Sequence, residues 1–178
     1  DYYQQCAMIR PHDARMWASL GVCYDRLGRN AQAIECFKRH LTCPLTHLES
    51  VEAIARIIEL YEQGGDSVHA TMYHCLLVQV VDRSMAQMDP ALMSRFAFSY
   101  IIAARWEMGE LKGRLYYSKE DKRLGRAAQA SMPTGDMVKA HDYLQKVLLA
   151  GTEMTPVAEE LLIKLGGRKE RGYDDNTT

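Results

Sequence analysis

A chain of 178 residues with 22 Lys and Arg against 23 Asp and Glu has a formal charge of −1. That balance excludes a global basic field of the kind that holds nucleic acid or an anionic membrane. Hydrophobic residues make up 47% of the chain, enough for a continuous core in one domain or one stretch of an array, yet no apolar run approaches the ~20 residues that span a bilayer.

The chain opens on Asp1 without the basic and apolar regions of a signal peptide, and we expect it to be a fragment of a longer protein. The five cysteines, Cys6, Cys23, Cys36, Cys43 and Cys75, are odd in number and loosely spaced. A reduced intracellular compartment is the simpler expectation for them.

Taken in chain order, the apolar residues recur at three and four, as in amphipathic helices, and almost nothing reads as a strand. Trp17, Leu20, Gly21 and Tyr24 fall on one helical stripe, Gly28 marks a turn, Ala33 and Phe37 fall on a second helix, and Pro44 closes it. Small residues at Gly21 and Ala33 let two helix backbones approach, and the large ones fill the space around them. This order of residue types is that of the tetratricopeptide repeat, a unit of ~34 residues forming two antiparallel helices. Stepping back one repeat puts Tyr3 in the place of Phe37, so residues 1–13 read as the end of a preceding repeat.

The second unit, 51–84, places Ile54, Ile57, Ile58 and Tyr61 on the packing stripe, Gly65 at the turn, and Ala70 and Leu77 inward on its second helix. The third spans 90–152. Asp89 is the expected N-cap with Pro90 at the first helical position, and Met93, Phe96, Ala97 and Tyr100 repeat the stripe. A basic insertion at 110–136 then separates it from a helix with Ala140, Leu144 and Val147 inward. The insertion carries Lys112, Arg114, Lys119, Lys122, Arg123 and Arg126 beside Tyr116 and Tyr117; it reads as a solvated loop, with contact to nucleic acid or an acidic partner as the alternative. A closing helix is expected over 156–165, followed by a polar, disordered tail at 166–178. The expected fold is all-α, a tetratricopeptide-repeat α-solenoid forming a right-handed superhelix of antiparallel helix pairs.

In such a stack the first helix of each pair lines the concave side. A stripe at spacing three, four, three faces it: Arg15, Ala18, Val22 and Asp25 in the first unit, Glu52, Ala55, Glu59 and Glu62 in the second. Asp25, Glu52, Glu59 and Glu62 would present carboxylates to a basic peptide, above all to an arginine, which a carboxylate takes bidentately, with Arg15 at the rim. Grooves that clamp a chaperone's carboxyl-terminus carry Lys, Arg and Asn at these positions, so that function is not expected here.

Cys36, His40, Cys43 and His47 fall at metal-ligand-like intervals, but Pro44 interrupts the helix, and one straight helix cannot wrap a tetrahedral ion. His69 and the adjacent His74–Cys75 add no metal motif, and neither a nucleophile elbow nor a phosphate-binding loop is present. We therefore expect no metal, no cofactor and no catalysis, with a Cys–His nucleophile as the rival class. The ten methionines read as adaptable core filling.

The wording around the first unit is narrower than the repeat. Tyr2–Tyr3, Pro11, Asp13, Arg15–Met16 and Gly21-Val22-Cys23-Tyr24 resemble the subunit 8 family of the anaphase-promoting complex. "ELYEQ" (59–63) is similar to that family's next helix, and "AHDYLQKVLLAGTE" with "AEELLIKL" to its last helices; the insertion at 110–136 departs from it. The resemblance implies a non-catalytic, nuclear or cytoplasmic scaffold of a ubiquitin ligase that drives the cell cycle. It implies contacts with neighbouring scaffold subunits, a groove for the basic motif of a coactivator, and a homodimer made through N-terminal repeats this chain lacks. Sister repeat subunits of the same complex, and a general repeat adaptor, stand as the alternatives.

Overall fold

The computed structural model describes Gln5, Ile9 and residues 13–84, 90–111 and 135–171. Among these the secondary structure is entirely helical. The helices are α1 (Ala14–Arg26), α2 (Asn30–Leu41), α3 (His47–Gln63), α4 (Ser67–Ser84), α5 (Pro90–Glu107), α6 (Met137–Ala150) and α7 (Thr155–Arg171). They fall into two compact units, one holding α1 to α4 and the other α5 to α7. Within each unit every helix packs on the next in sequence, an arrangement compatible with an α-solenoid.

Local chemistry starts the helices. Asp13 caps α1 by accepting the Arg15 N–H at 3.1 Å, and Asp136 caps α6 by accepting the N–H groups of Val138 and Lys139. Thr46 and Glu49 form a reciprocal capping box at the head of α3: the Thr46 hydroxyl accepts the Glu49 N–H and the Glu49 carboxylate accepts the Thr46 N–H.

One device stops three of them. After α1 the Arg29 N–H donates to the Tyr24 carbonyl and the Gly28 N–H to that of Asp25, both at 2.9 Å. After α3 the same pair of bonds joins Asp66 to Tyr61 and Gly65 to Glu62, and after α5 it joins Glu110 to Arg105 and Gly109 to Trp106. Each is a Schellman stop, which needs a left-handed residue; Gly28, Gly65 and Gly109 take it at φ of 69°, 74° and 71°. After the first two the chain reverses at once, so α2 and α4 run back antiparallel to α1 and α3. His40 near the end of α2 therefore meets the first carbonyl of α1, Ala14, at 2.8 Å, and Tyr61 near the end of α3 stacks on His69 and Tyr73 of α4. In the second unit Tyr100 meets Tyr143 edge to face.

The carbonyls of Arg29, Asp66 and Asp136 accept from Ala33, Ala70 and Ala140, so these three alanines hold one position in successive pairs. All are buried, as expected from their inward placement, and so are Trp17, Leu20, Tyr24, Phe37, Ile54, Ile57, Ile58, Leu77, Leu144 and Val147. An ideal Cβ added to Gly21 would lie 2.9 Å from Phe37 Cζ, so the first pair packs ring against backbone where a side chain would not fit.

Two boundaries differ from expectation. Tyr100 sits nine residues before its stopping glycine, where Tyr24 sits four before Gly28, so by turn register Arg105 occupies Tyr24's place. The cause is that α5 buries residues on most of its circumference, among them Met93, Phe96, Ala97, Tyr100, Ile101, Ala104 and Trp106, and offers no single stripe to fix its register. The last helix runs to Arg171, past the expected end at 165 and into the segment expected as a polar tail. A Lys164–Glu160 pair at 3.0 Å supports it. The expected half-repeat at 1–13 lies outside the described residues apart from Gln5, Ile9 and Asp13. So do Cys6, Asp89, the basic residues and tyrosines of the insertion, and 172–178.

Candidate peptide groove

Pairing α1 with α2 and α3 with α4, with α2 packed on α3, leaves the first helices of the two pairs facing one concavity. It has a volume of about 460 Å³. Arg15, Ala18 and Val22 line it from α1, Phe37 and His40 from α2, and Leu48, Glu49, Glu52, Ala53 and Arg56 from α3. Ala18, Phe37 and Ala53 make an apolar floor. Val22 and Leu48 are exposed apolar side chains on its two walls.

Of the residues the spacing placed in the groove, Arg15 and Glu52 therefore line it directly, with Ala18 and Val22 beside them. Asp25 and Glu59 stand one contact farther along. Between them lies Arg56, whose Nε donates to Asp25 Oδ2 at 3.0 Å. Arg56 Nη2 donates to that same oxygen, and its Nη1 donates to Glu59 Oε2. The Asp25 side chain is only 12% exposed, against 43% for Arg56 and 49% for Glu59. Glu62 takes another direction: its Oε1 lies 3.1 Å from His74 Nε2 on α4. Ala55 is buried in the α3 core.

The groove face of α3 thus runs Leu48, Glu49, Glu52, Ala53 and Arg56, with Glu59 one turn beyond. The sequence reading missed Leu48, Glu49 and, most consequentially, Arg56. The signal for it was present, because Glu52, Arg56 and Glu59 are spaced four and three, which sets them on one helical face. Glu49 belongs to the groove wall and to the α3 cap at once; its bonds to the Thr46 hydroxyl and N–H hold its carboxyl below the usual range.

Histidines and cysteines serve the packing of this region. His40 Nδ1 is engaged with the Ala14 carbonyl, and the Cys43 thiol donates to the Arg39 carbonyl. Burial pushes the Cys36 thiol up to about 11 and raises that of Cys43. Thiols so placed stay protonated near neutral pH, the opposite of an activated nucleophile. Among the described residues no group of three or more His, Cys, Asp and Glu side chains is arranged to hold a metal ion, and no helix is long and apolar enough to cross a membrane. Comparison with known families, with curated proteins and with solved structures gives no match for this chain.

Proposed function

We propose that this chain is a stretch of a tetratricopeptide-repeat array that works as a non-catalytic scaffold and receives an arginine-bearing peptide between α1 and α3. The observation that carries the reading is the groove itself. It has an apolar floor that takes a side chain, and carboxylates at its far end whose geometry already accommodates a guanidinium. Repetition of one glycine stop and one buried alanine in three successive pairs supports the repeat assignment.

The wording around Tyr2–Tyr3, Pro11, Asp13 and Gly21–Tyr24 supports a place in the subunit 8 family of the anaphase-promoting complex. In that reading the protein is a nuclear or cytoplasmic ubiquitin-ligase scaffold. Its partners are neighbouring subunits, a coactivator's basic motif and, through repeats outside this chain, a second copy of itself.

Two measurements test the reading at its two levels. Charge reversal at Glu52 and Glu59 together should abolish binding of an arginine-bearing coactivator peptide while leaving helicity intact. The Glu62→Lys variant, altered on the side that meets His74, should bind nearly as the wild type does. Equal affinity of all three forms would remove the groove assignment. Co-purification from the source cells separates a ligase scaffold, which brings down the complex's other subunits, from a general adaptor, which does not.

A further inference from the structure

Resting on the groove reading above, we propose that Arg56 is an internal occupant of the arginine site, and that a peptide's arginine binds by exchanging with it. Asp25 and Glu59 come from different helix pairs, and the group that bridges them is a guanidinium from the chain itself, fixed through Nε, Nη1 and Nη2. This is the set of bonds an incoming arginine would make. Arg56 also lines the groove, so its side chain lies between the apolar floor and the two carboxylates.

The exposures set the direction of the exchange. Asp25 is nearly buried, and a carboxylate so placed resists losing its cation without a replacement. Arg56 is 43% exposed and can swing into water with little loss of solvation. Departure of Arg56 is therefore coupled to arrival of another cation. A guanidinium matches the vacated geometry, whereas an ammonium offers a point charge in place of the planar fork. The consequence is a threshold: only a peptide whose apolar contacts add to its arginine displaces Arg56. A loose basic segment, lacking those contacts, merely substitutes one arginine for another with no net gain.

The test uses the 178-residue chain and a fluorescein-labelled peptide Gly-Leu-Arg-Leu-Gly, with Gly-Leu-Gln-Leu-Gly as its match, read by fluorescence anisotropy. Arg56→Gln should bind the arginine peptide about tenfold more tightly than wild type, the worth of one charge-assisted hydrogen bond released from competition. The glutamine peptide should show no such gain. Arg56→Lys keeps the charge but not the fork, and should fall between the two; it carries the test if Arg56→Gln loses helicity. Wild-type binding that depends on the peptide arginine, with no gain in either variant, would overturn the exchange and leave the groove reading standing. Absence of arginine-dependent binding in wild type and variants alike would overturn both.

Discussion

The turns that join α1 to α2 and α3 to α4 differ from the turn that leaves α5. In the first two, the stopping glycine is followed by one residue before the next helix begins, Arg29 in one case and Asp66 in the other. After Gly109 the chain takes twenty-seven residues, 110–136, to reach α6. Yet the glycine stop has the same two hydrogen bonds and the same left-handed backbone in all three. The stop is thus a local property of the last turn of the helix and does not require the next helix to follow at once. What the third turn needs in addition is a fixed point for the returning chain. Glu107 supplies it: this buried residue sits two positions before the stopping glycine, and its Oε2 accepts the Asp136 N–H at 3.1 Å.

The largest expected effect breaks that difference. Replacing Glu107 by Ala removes the acceptor of the Asp136 N–H and should lower stability by about 2–3 kcal/mol, the range for a lost buried charged hydrogen bond. Glu107→Gln keeps an acceptor oxygen and should recover more than half of it. Chemical denaturation of both variants is the measurement. A Glu107→Ala form as stable as wild type would mean that α6 is held by its packing on α5 and α7 without that bond.

Next in size is the packing that sets the first pair apart. Counted from the carbonyls that accept Ala33, Ala70 and Ala140, the residues at one register are Phe37, His74 and Leu144. Counted back from the stopping glycines, they are Gly21, Ile58 and Ile102. At these two positions the first pair alone sets an aromatic ring, Phe37, against a residue with no side chain, Gly21. Gly21→Ala gains about 1 kcal/mol of helix propensity but drives a Cβ to 2.9 Å from a buried ring, and overpacking costs ~1–3 kcal/mol. We expect a net loss of up to about 2 kcal/mol on these terms, reduced when Phe37→Leu is introduced with it. A double-mutant cycle reads the coupling, and simple additivity would show that the ring yields without strain.

The autonomy of the stop is sharpened by Gly28→Ala, Gly65→Ala and Gly109→Ala. None of the three sites has an atom within 4 Å of an added Cβ, so only the left-handed backbone is penalised. Each substitution should cost about 1 kcal/mol, and the three costs should agree in thermal melts. A markedly larger value at Gly109 would show that its stop also depends on the chain that follows it.

The small-and-large pattern at Trp17, Gly21, Tyr24, Ala33 and Phe37 was legible because each of those residues packs on one side only, and period alone reveals a one-sided helix. Register in α5 was illegible for the converse reason: a helix buried nearly all round gives every alignment some apolar match. The groove was half legible. Arg15 and Glu52 were found from helical spacing, but charge type does not reveal which carboxylates the chain has already paired. Asp25 and Glu59 are bridged by Arg56, and Glu62 turns to His74, because each pairing depends on where a neighbouring helix arrives in space.

The smallest effect separates the pairs by acid. His74 holds the register that Phe37 and Leu144 hold in the other pairs, and it alone of the three ionises. Burial lowers its pKa from the ordinary 6.5, with Glu62 opposing the shift in part. The folded chain therefore resists the proton that the unfolded chain accepts. The stabilising contribution of neutral His74 is complete above about 6.5, where the unfolded imidazole titrates, and is lost as pH falls from there through the depressed folded value. His74→Gln removes the titration while keeping a polar group beside Glu62. Its melting temperature should decline less steeply than wild type's between roughly pH 7 and pH 5, the window just around and below the unfolded pKa. The same slope in both proteins would mean that Glu62 follows His74 on protonation, and that the second pair is no more acid-sensitive at this register than the first.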